Sequence, residues 1–423
     1  MKSRTAAMAR DAAKKVSLPL LPPRTARRSA TGAWNRRVRY HVRTMNAFSI
    51  LINDQAAADT SGLPPAIARN IASFKAHHPD ATHRLFDQRG IRAFLRENTE
   101  PDVLWAYEQL LPYAYRADLA RLCLLHEFGG VYADLSVFFH AGWPVQPGKI
   151  AVFRDRAMVA PWIVSNTIIS TPARFPALEA AIRMIVAHCR TRYRGASPLC
   201  PTGPVLFGKA LALHCEPDQI HMGEVANVSG RNTAEALVFL DATDGRLVAY
   251  RTKSMAGLRE LGLQDGVNNY NEFYHAGLSY AGDFPVTLGA DALQRHGRSV
   301  CGLEHGELVY RGDATGGDAQ EVALWLMPFP FAAGAYRVLL DLAQASPGAV
   351  LTLFAAANGT GEVLARTVVR QDGAGPAALA LALDMPSTRN DVIVGILAEG
   401  EARPLQLRIR GLRIERLPDD TPS

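Results

Sequence analysis

Three charged residues in one short segment, Asp118, Arg121 and Asp134, could together bind and orient a polar ligand. The segment, residues 113–139, reads YAYRADLARLCLLHEFGGVYADLSVFF. Its first half has the apolar spacing of a helix, and Asp118 and Arg121, three residues apart, share one face of it. This pair could clasp one ligand, or it could be an ordinary surface ion pair that contributes only about 0.2–0.5 kcal/mol.

Asp134 lies in the second half of the segment, which follows a double glycine and alternates like a strand. The period of two places Tyr132, Asp134 and Ser136 on one face. A carboxylate within an apolar strand is costly unless it is paired or bound to a cation, so we expect Asp134 either to bind a ligand or to pair with a nearby arginine. Helix, glycines and strand would bring four side chains to one end of a sheet: Asp118, Arg121, Tyr132 and Asp134.

The chain around this segment alternates between strands and helices. Strands are predicted at 48–52 and 83–86, and helices at 67–77 and through 90–128. This alternation indicates an α/β fold with a largely parallel sheet. Ligands of such sheets bind beyond the carboxyl ends of the strands, which is where the charged residues of the segment would lie.

The pattern changes near residue 286, where helical periodicity gives way to short runs of β-branched and apolar residues. Seven such runs are separated by turn residues, at 321–327, 336–342, 350–354, 363–369, 379–383, 392–397 and 405–414. Short strands at this regular spacing indicate a β-sandwich or jelly roll. Its aromatic residues could be core or could form a stacking platform for a sugar ring: Trp325, Phe329, Phe331 and Tyr336.

Composition divides the chain into a basic tail over 1–45, an α/β domain over 46–285 and an all-β domain over 286–423. The tail has twelve Lys and Arg residues and one Asp, whereas the rest of the chain has 34 basic and 39 acidic residues. The net charge of +6 therefore belongs to the tail and does not indicate nucleic-acid binding. We expect the tail to be disordered, as a solvated arm or as a peripheral contact with an anionic membrane, although a transit peptide has a similar composition.

The cysteines and the hydropathy favour a cytoplasmic location. The five cysteines are odd in number and lack CxxC spacing, so we expect buried, reduced side chains at Cys123, Cys189, Cys200, Cys215 and Cys301. No apolar run reaches the roughly 20 residues that a membrane-spanning helix needs. The basic tail would place the protein at the inner membrane face if it binds lipid.

The run DLARLCLLHEFGGVYADLSV resembles the donor-site signature of glycosyltransferase family 32 and is similar to clostridial glucosylating toxins. Residues 67–86, the element Thr202-Gly203-Pro204 and residues 266–274 resemble further segments of that family, so the likeness covers 47–280. It implies an α/β, GT-A-like (Rossmann-like) nucleotide-sugar-binding domain. The C-terminal all-β sandwich (jelly-roll-like) domain that follows resembles a carbohydrate-binding module.

The resemblance also implies roles for individual residues. Asp118 and Arg121 would hydrogen-bond hydroxyls of the donor sugar, and Asp134 would be the first aspartate of a D-x-D motif, which makes these three the expected catalytic residues. The expected donor site includes five more residues: Tyr132, Ser136, Asn166, Gly203 and Pro204.

A divalent cation, Mn²⁺ or Mg²⁺, is the cofactor that the resemblance implies. Asp134 would be one ligand, and a late loop would supply Asn271, Glu272 and His275. Ser136 stands where the motif has its second aspartate, and a hydroxyl is a weaker ligand for a hard cation than a carboxylate. The opening strand also departs from the family, because it lacks the aromatic residue and the histidine that often frame the nucleotide base.

These features predict a retaining glycosyltransferase, a hexosyltransferase that moves a hexose from a nucleotide sugar to a glycan, a lipid-linked glycan or another polysaccharide precursor. The alternative is a protein of the same fold that binds glycans or nucleotide sugars with little or no catalysis, because the second aspartate is missing. No carboxylate pair stands out for glycoside hydrolysis, and neither the P-loop nor the Rossmann glycine motif follows a predicted strand.

Overall fold

The computed structural model describes most of the chain after residue 44. The described ranges are 45–53, 62–156, 160–228, 237–251, 270–295, 300–311, 321–326, 328–358, 360–373, 377–399 and 405–418. They all belong to one compact unit, Thr44–Ser423. The predicted basic tail lies outside the described residues, apart from Met45.

The first part of the unit is a nine-stranded sheet with helices packed on it. Its strands are β1 (Met45–Leu51), β2 (Ala81–Asp87), β3 (Gly130–Ala133), β4 (Val137–Phe139), β5 (Ile150–Arg154), β6 (Val164–Thr171), β7 (Ile220–Asn227), β8 (Leu237–Asp241) and β9 (Leu247–Arg251). The helices are α1 (Pro65–His77), α2 (Gln88–Asn98), α3 (Pro101–Gln109), α4 (Tyr113–Phe128), α5 (Pro176–Thr191), α6 (Pro204–His214) and α7 (Tyr270–His275). The strand order is β2-β1-β3-β6-β5-β7-β8-β9-β4.

The sheet is mixed, so the prediction of a largely parallel sheet was wrong. Among the described residues, β1 pairs in parallel with β2 and β3, and β5 with β7, whereas the other five pairs are antiparallel. Short connections explain part of the difference. Only residues 242–246 join β8 to β9, and so short a link cannot make the crossover that parallel strands require.

Two glycines set the passage from α4 into β3. Gly129 ends the helix at φ +61°, and a Cβ at this position would lie 2.5 Å from the backbone nitrogen of Ala173. Gly130 has φ +114°, and a Cβ there would lie 2.1 Å from the carbonyl oxygen of Asn46. A side chain at either residue would therefore clash with backbone. Glycine at both positions lets β3 lie tightly against β1 directly after α4.

The strand predicted over 131–137 is interrupted at Asp134. β3 ends at Ala133, and the amide of Val137 donates to the carbonyl of Asp134 over 3.1 Å, which closes a turn. Leu135, inside the turn, packs with Leu51 and Ile67. The two strands then diverge, because β3 pairs with β1 and β6 whereas β4 pairs with β9. Asp134 and Ser136 consequently lie on a turn, not on one strand face.

The second part of the unit contains two six-stranded antiparallel sheets. Their strands are β10 (Val286–Gly289), β11 (Leu293–Arg295), β12 (Val300–Glu304), β13 (Glu307–Arg311), β14 (Glu321–Leu326), β15 (Phe329–Phe331), β16 (Gly334–Ala345), β17 (Val350–Ala357), β18 (Val363–Arg370), β19 (Ala377–Met385), β20 (Arg389–Glu399) and β21 (Gln406–Arg416). One sheet contains β10, β12, β13, β16, β19 and β21, and the other contains β11, β14, β15, β17, β18 and β20.

A single apolar core joins the two sheets. Leu340 and Ile409 from one sheet share a buried cluster with Leu353 and Ile396 from the other. Each of the seven predicted runs corresponds to a strand, from β14 and from β16 to β21, and the sequence patterns missed β10 to β13 and β15. Phe331 and Tyr336 are fully buried and belong to the core, not to a stacking platform. The side chain of Trp325 lies outside the described residues.

The two parts of the unit are in contact near the start of α4. Leu111 and Phe273 pack with Ala332 of the β-rich part in one buried cluster. The Thr388 hydroxyl donates to the Tyr113 hydroxyl over 3.2 Å. Cys123, Cys189 and Cys200 are buried and reduced, and Cys215 is partly buried, whereas the side chain of Cys301 is not described. Across the described residues, no helix has the length and apolar character to span a membrane.

Candidate donor site

A cavity of about 350 Å³ opens where the carboxyl ends of β1 and β3 meet α4. This volume is within the usual range of small-molecule sites, about 300–1,000 Å³. The cavity lining contains all eight residues predicted for catalysis and donor binding: Asp118, Arg121, Tyr132, Asp134, Ser136, Asn166, Gly203 and Pro204. Four elements, α4, the turn after β3, β6 and α6, thus converge on one pocket.

Arg121 is at the centre of the charged network in this cavity. Its Nη2 lies 3.2 Å from Oδ1 of Asp118, and its Nη1 lies 3.1 Å from Oδ1 of Asp134. Nη1 also donates to the carbonyl of Asn166 over 2.6 Å. The guanidinium lies over the ring of Tyr132, 4.6 Å from its centroid. Because the Arg121 side chain is only 7% exposed, this is an interior network and not the surface ion pair that the spacing also allowed.

Asp118 is held from three sides. In addition to Arg121, it accepts hydrogen bonds from Nδ2 of Asn166 over 2.7 Å and from the hydroxyl of Thr202 over 2.8 Å. Burial raises the pKa of this carboxyl to about 6, and the charge of Arg121 and the hydrogen bond from Thr202 oppose that rise. The Thr202-Gly203-Pro204 element therefore lines the cavity with Gly203 and Pro204 and also holds Asp118 through Thr202, a residue that was not among the predicted site residues.

Asp134 is the more open of the two carboxylates. Its Oδ1 accepts from the Tyr132 hydroxyl over 2.7 Å and from Arg121, while its backbone amide donates to the carbonyl of Thr167. Its Oδ2 makes no hydrogen bond within the described part of the chain, and the side chain is 27% exposed. One carboxylate oxygen is thus positioned by the protein, and the other can take a ligand.

Several residues that line the cavity were not among the predicted site residues, although one of them, Tyr270, lies within the family-like residues 266–274. Arg251 ends the ordinary strand β9, and its Nη2 donates to the Thr167 hydroxyl over 2.9 Å. Asp155 follows β5 and also lines the cavity. Tyr270 stacks on Tyr115, with ring centroids 5.7 Å apart. Each is one of many similar residues in the chain, and only the fold brings them together.

The predicted late-loop cation ligands do not line this cavity. Helix α7 contributes Tyr270 to the lining, whereas Phe273 of the same helix packs into the apolar cluster against Leu111. Asn271, Glu272 and His275 lie on α7 outside the lining. Within the described ranges, no three His, Cys, Asp or Glu side chains form a group that could hold a metal ion. The donor set at the cavity therefore does not fit the predicted four-ligand cation site.

One segment of the chain, which carries several of the cavity residues, matches a known protein family. Residues 64–143, which include Asp118, Arg121 and Asp134, match the family model described as the glycosyltransferase sugar-binding region containing a DXD motif. The chain contains a glycosyltransferase region. This glycosyltransferase region begins just before α1 and ends after β4, so its match stops short of β6, α6 and β9.

Individual relatives cover limited parts of the chain. An uncharacterised glycosyltransferase of Acanthamoeba polyphaga mimivirus is 38% identical over 55 residues, which is 13% of this chain and 22% of the relative. The chain thus matches about a fifth of the length of this curated relative.

Two solved structures give low TM-scores. The PaToxG glycosyltransferase has a TM-score of 0.32 and 21% identity, covering 40% of this chain and 69% of its own. The carbohydrate binding module from Cellvibrio mixtus lichenase 5A has a TM-score of 0.20 and 15% identity, covering 31% of this chain and 97% of its own. Neither score reaches 0.5, so neither structure is used to assign the glycosyltransferase region. That assignment depends on the family match and on the curated relative.

Proposed function

We propose that this protein is a retaining glycosyltransferase that moves a hexose from a nucleotide sugar to a glycan or polysaccharide-precursor acceptor. The observation that carries the proposal is the network of Asp118, Arg121 and Asp134, which lines a ligand-sized cavity. All three residues lie within the segment that matches the glycosyltransferase region. Two carboxylates fixed by one guanidinium form a rigid acceptor surface for sugar hydroxyls.

Different groups are needed for the sugar of the donor and for its diphosphate. Asp118 and Asp134 accept hydrogen bonds from hydroxyls of the sugar, and Arg121 holds both carboxylates in place. Breaking the bond from sugar to diphosphate develops negative charge on the leaving group, which the site must stabilise. The carboxyl end of β1 lines the cavity with Ile50, Leu51 and Ile52, so an aliphatic wall is available to the nucleotide. Retention of configuration is proposed from the resemblance to family 32.

Sugar binding without catalysis is the second candidate, and Ser136 in place of a second aspartate favours it. Turnover of radiolabelled UDP-, GDP- and dTDP-hexoses by the full chain distinguishes the two functions, with Asp134→Asn as the comparison. Release of labelled sugar to an acceptor or to water by the wild type, and not by the variant, supports transfer. Saturable binding of the same donors with no release would instead establish the binding function.

The remaining proposals concern the surroundings of this site. A glycan or lipid-linked glycan is proposed as the acceptor, and the β-rich part from residue 286 as a carbohydrate-binding domain. We further propose a cytoplasmic protein whose basic tail approaches the anionic inner membrane face. Twelve basic residues within 1–45 support that contact, because each contributes about 1 kcal/mol near such a surface.

A further inference from the structure

We propose that Arg251 binds the diphosphate of the donor, in the place where a D-x-D site would use a second aspartate and a divalent cation. The inference rests on the proposed function, because it concerns the leaving group of that reaction. If Arg251 binds the diphosphate, donor binding does not require the divalent cation that the resemblance implies.

The position of Arg251 follows from the strand pairing. Arg251 lies opposite Val137 in the antiparallel pair of β4 and β9, directly after the turn that carries Asp134 and Ser136. Thr167 anchors both sides of this arrangement. Its hydroxyl accepts from Arg251 over 2.9 Å, and its carbonyl accepts from the amide of Asp134 over 3.0 Å. Arg251 is therefore fixed beside the residues that hold the sugar.

The guanidinium of Arg251 has bonding capacity that the protein does not use. Its Nε is buried and has no hydrogen-bond partner among the described residues. A guanidinium carries five N–H donors, and Thr167 accepts from one of them, so donors remain for a ligand. A guanidinium presents several donors in one plane, which suits the oxygens of a phosphate group.

Arg251 carries the positive charge of the described cavity lining that is not already paired with a carboxylate. Arg121 is engaged by Asp118 and Asp134, so its charge is already neutralised by the sugar-binding carboxylates. Asp155 adds a further carboxylate to the lining. Among the described lining residues, Arg251 is the arginine with no salt bridge to a carboxylate. It can therefore direct its whole charge to an incoming anion.

The identity of residue 136 is consistent with this arrangement. A carboxylate at 136 would share the cavity lining with Arg251 and would compete with the diphosphate for it, whereas a serine at this position adds no charge. The cavity then has a fixed cation of its own in Arg251. A divalent ion beside that arginine would be repelled by it.

The test measures binding of UDP, GDP and dTDP to the full chain by calorimetry, in EDTA and in Mn²⁺. Arg251→Gln removes the charge, Arg251→Lys keeps it, and Arg183→Gln removes a charge from the exposed face of α5 as the matched control. We expect equal wild-type affinity in both buffers, a loss of about 10- to 100-fold in Arg251→Gln, partial recovery in Arg251→Lys and no change in Arg183→Gln.

Three results would overturn the inference. Wild-type binding that is lost in EDTA and restored by Mn²⁺ would give the diphosphate to a metal ion, and the glycosyltransferase proposal would stand. Wild-type affinity of Arg251→Gln in EDTA would exclude Arg251. Absence of binding for every nucleotide in both buffers would instead defeat the proposed function and this inference with it.

Two further variants decide the question if Arg251→Gln does not fold. These are Arg251→Lys and Thr167→Val, and the second removes the hydroxyl that anchors Arg251. The same affinities are measured for both.

Discussion

Asn166 holds Asp118 through its side-chain amide, with 2.7 Å between Nδ2 and Oδ1. The hydrogen bond crosses from β6 to α4, and the two residues are 48 positions apart in sequence. The carbonyl of the same asparagine accepts from Arg121. One residue of β6, which the resemblance had placed in the donor site, therefore sets the position of both charged groups on α4.

Removing this amide should raise the pKa of Asp118 further, because a hydrogen bond to a carboxylate stabilises the ionised form. Asn166→Ala is therefore expected to weaken donor binding at neutral pH and to move the pH profile of binding upward. Calorimetry with a nucleotide sugar across pH 5 to 8 measures both effects. A loss of affinity that is the same at every pH would show that Asn166 contributes to packing and not to the state of Asp118.

Asp134→Asn is expected to abolish sugar transfer while the fold is retained, since the change keeps side-chain volume and removes the charge that faces the ligand. Loss of one such electrostatic contact typically lowers kcat by about 10²–10³-fold. Asp102→Asn makes the same chemical change in the exposed ion pair with Arg190 and should leave turnover unaffected. Both variants should melt close to the wild type. Near-normal turnover of folded Asp134→Asn would contradict the donor-site assignment.

The pH dependence of donor binding should follow Asp118, whose pKa burial raises to about 6. Affinity for a nucleotide sugar is expected to rise as the pH increases through about 6, because the ionised carboxylate accepts the sugar hydroxyls. An intact nucleotide sugar is the right probe, since a terminal phosphate has its own pKa of about 6. Binding that does not change between pH 5 and 7 would argue against ionised Asp118 in sugar recognition.

The effect of the same group on stability has the opposite sign. The pKa of Asp118 is higher in the folded protein than the ordinary aspartate value of 3.8, so the folded state binds more protons between those values. This group therefore lowers the free energy of unfolding as the pH rises from about 4 to 6. Asp118→Asn should remove this dependence, which urea titrations at several pH values would measure.

Ser136→Asp distinguishes a metal site from an arginine site. If Arg251 holds the diphosphate, the new carboxylate competes for it, and donor affinity in EDTA should fall about tenfold or more. If a cation holds the diphosphate, the same carboxylate adds a hard ligand, and Mn²⁺ should bind more tightly. We expect the first outcome. Donor affinity and turnover across a Mn²⁺ titration, with Ser136→Ala as the uncharged control, separate the two.

Deletion of residues 1–43 should leave turnover unchanged and reduce sedimentation with anionic vesicles at low salt. The basic residues of the tail attract such a surface, and salt screens this attraction. Vesicles of phosphatidylcholine alone are the control for charge. Equal sedimentation of both forms with anionic vesicles would remove the membrane contact from the proposal.

Local patterns predicted the elements of the site better than the way those elements are arranged. The helix that carries Asp118 and Arg121 was predicted from spacing alone, and so was the strand that leads to Asp134. The interruption after Ala133 was missed because Leu135 continues the alternation while packing against Leu51 and Ile67 from other elements. Period-two patterns report burial, and a buried turn residue can imitate a strand.

Contacts that depend on strand pairing were beyond the reach of the sequence. Arg251 comes beside the turn at 134–136 because β9 pairs with β4, which lies at the edge of the sheet after β9 in spatial order. β4 reaches that edge by pairing with β9, a strand that begins more than a hundred residues later in the sequence. Nothing near Arg251 in the chain distinguishes it from other arginines, so its role depends on the assembled sheet.

The contact between Thr388 and Tyr113 links the β-rich part to the α/β part, so it would be lost if the two parts were produced separately. Tyr113 begins α4, the helix that carries Asp118 and Arg121, and it also lines the cavity. A chain cut after residue 285 would lose Thr388, which donates to the Tyr113 hydroxyl. It would also lose Ala332, which packs on Leu111 and Phe273 in the intact protein. The compositional change near residue 286 therefore lies inside one packed unit, in which residues after 286 cover apolar side chains of the part that carries the cavity.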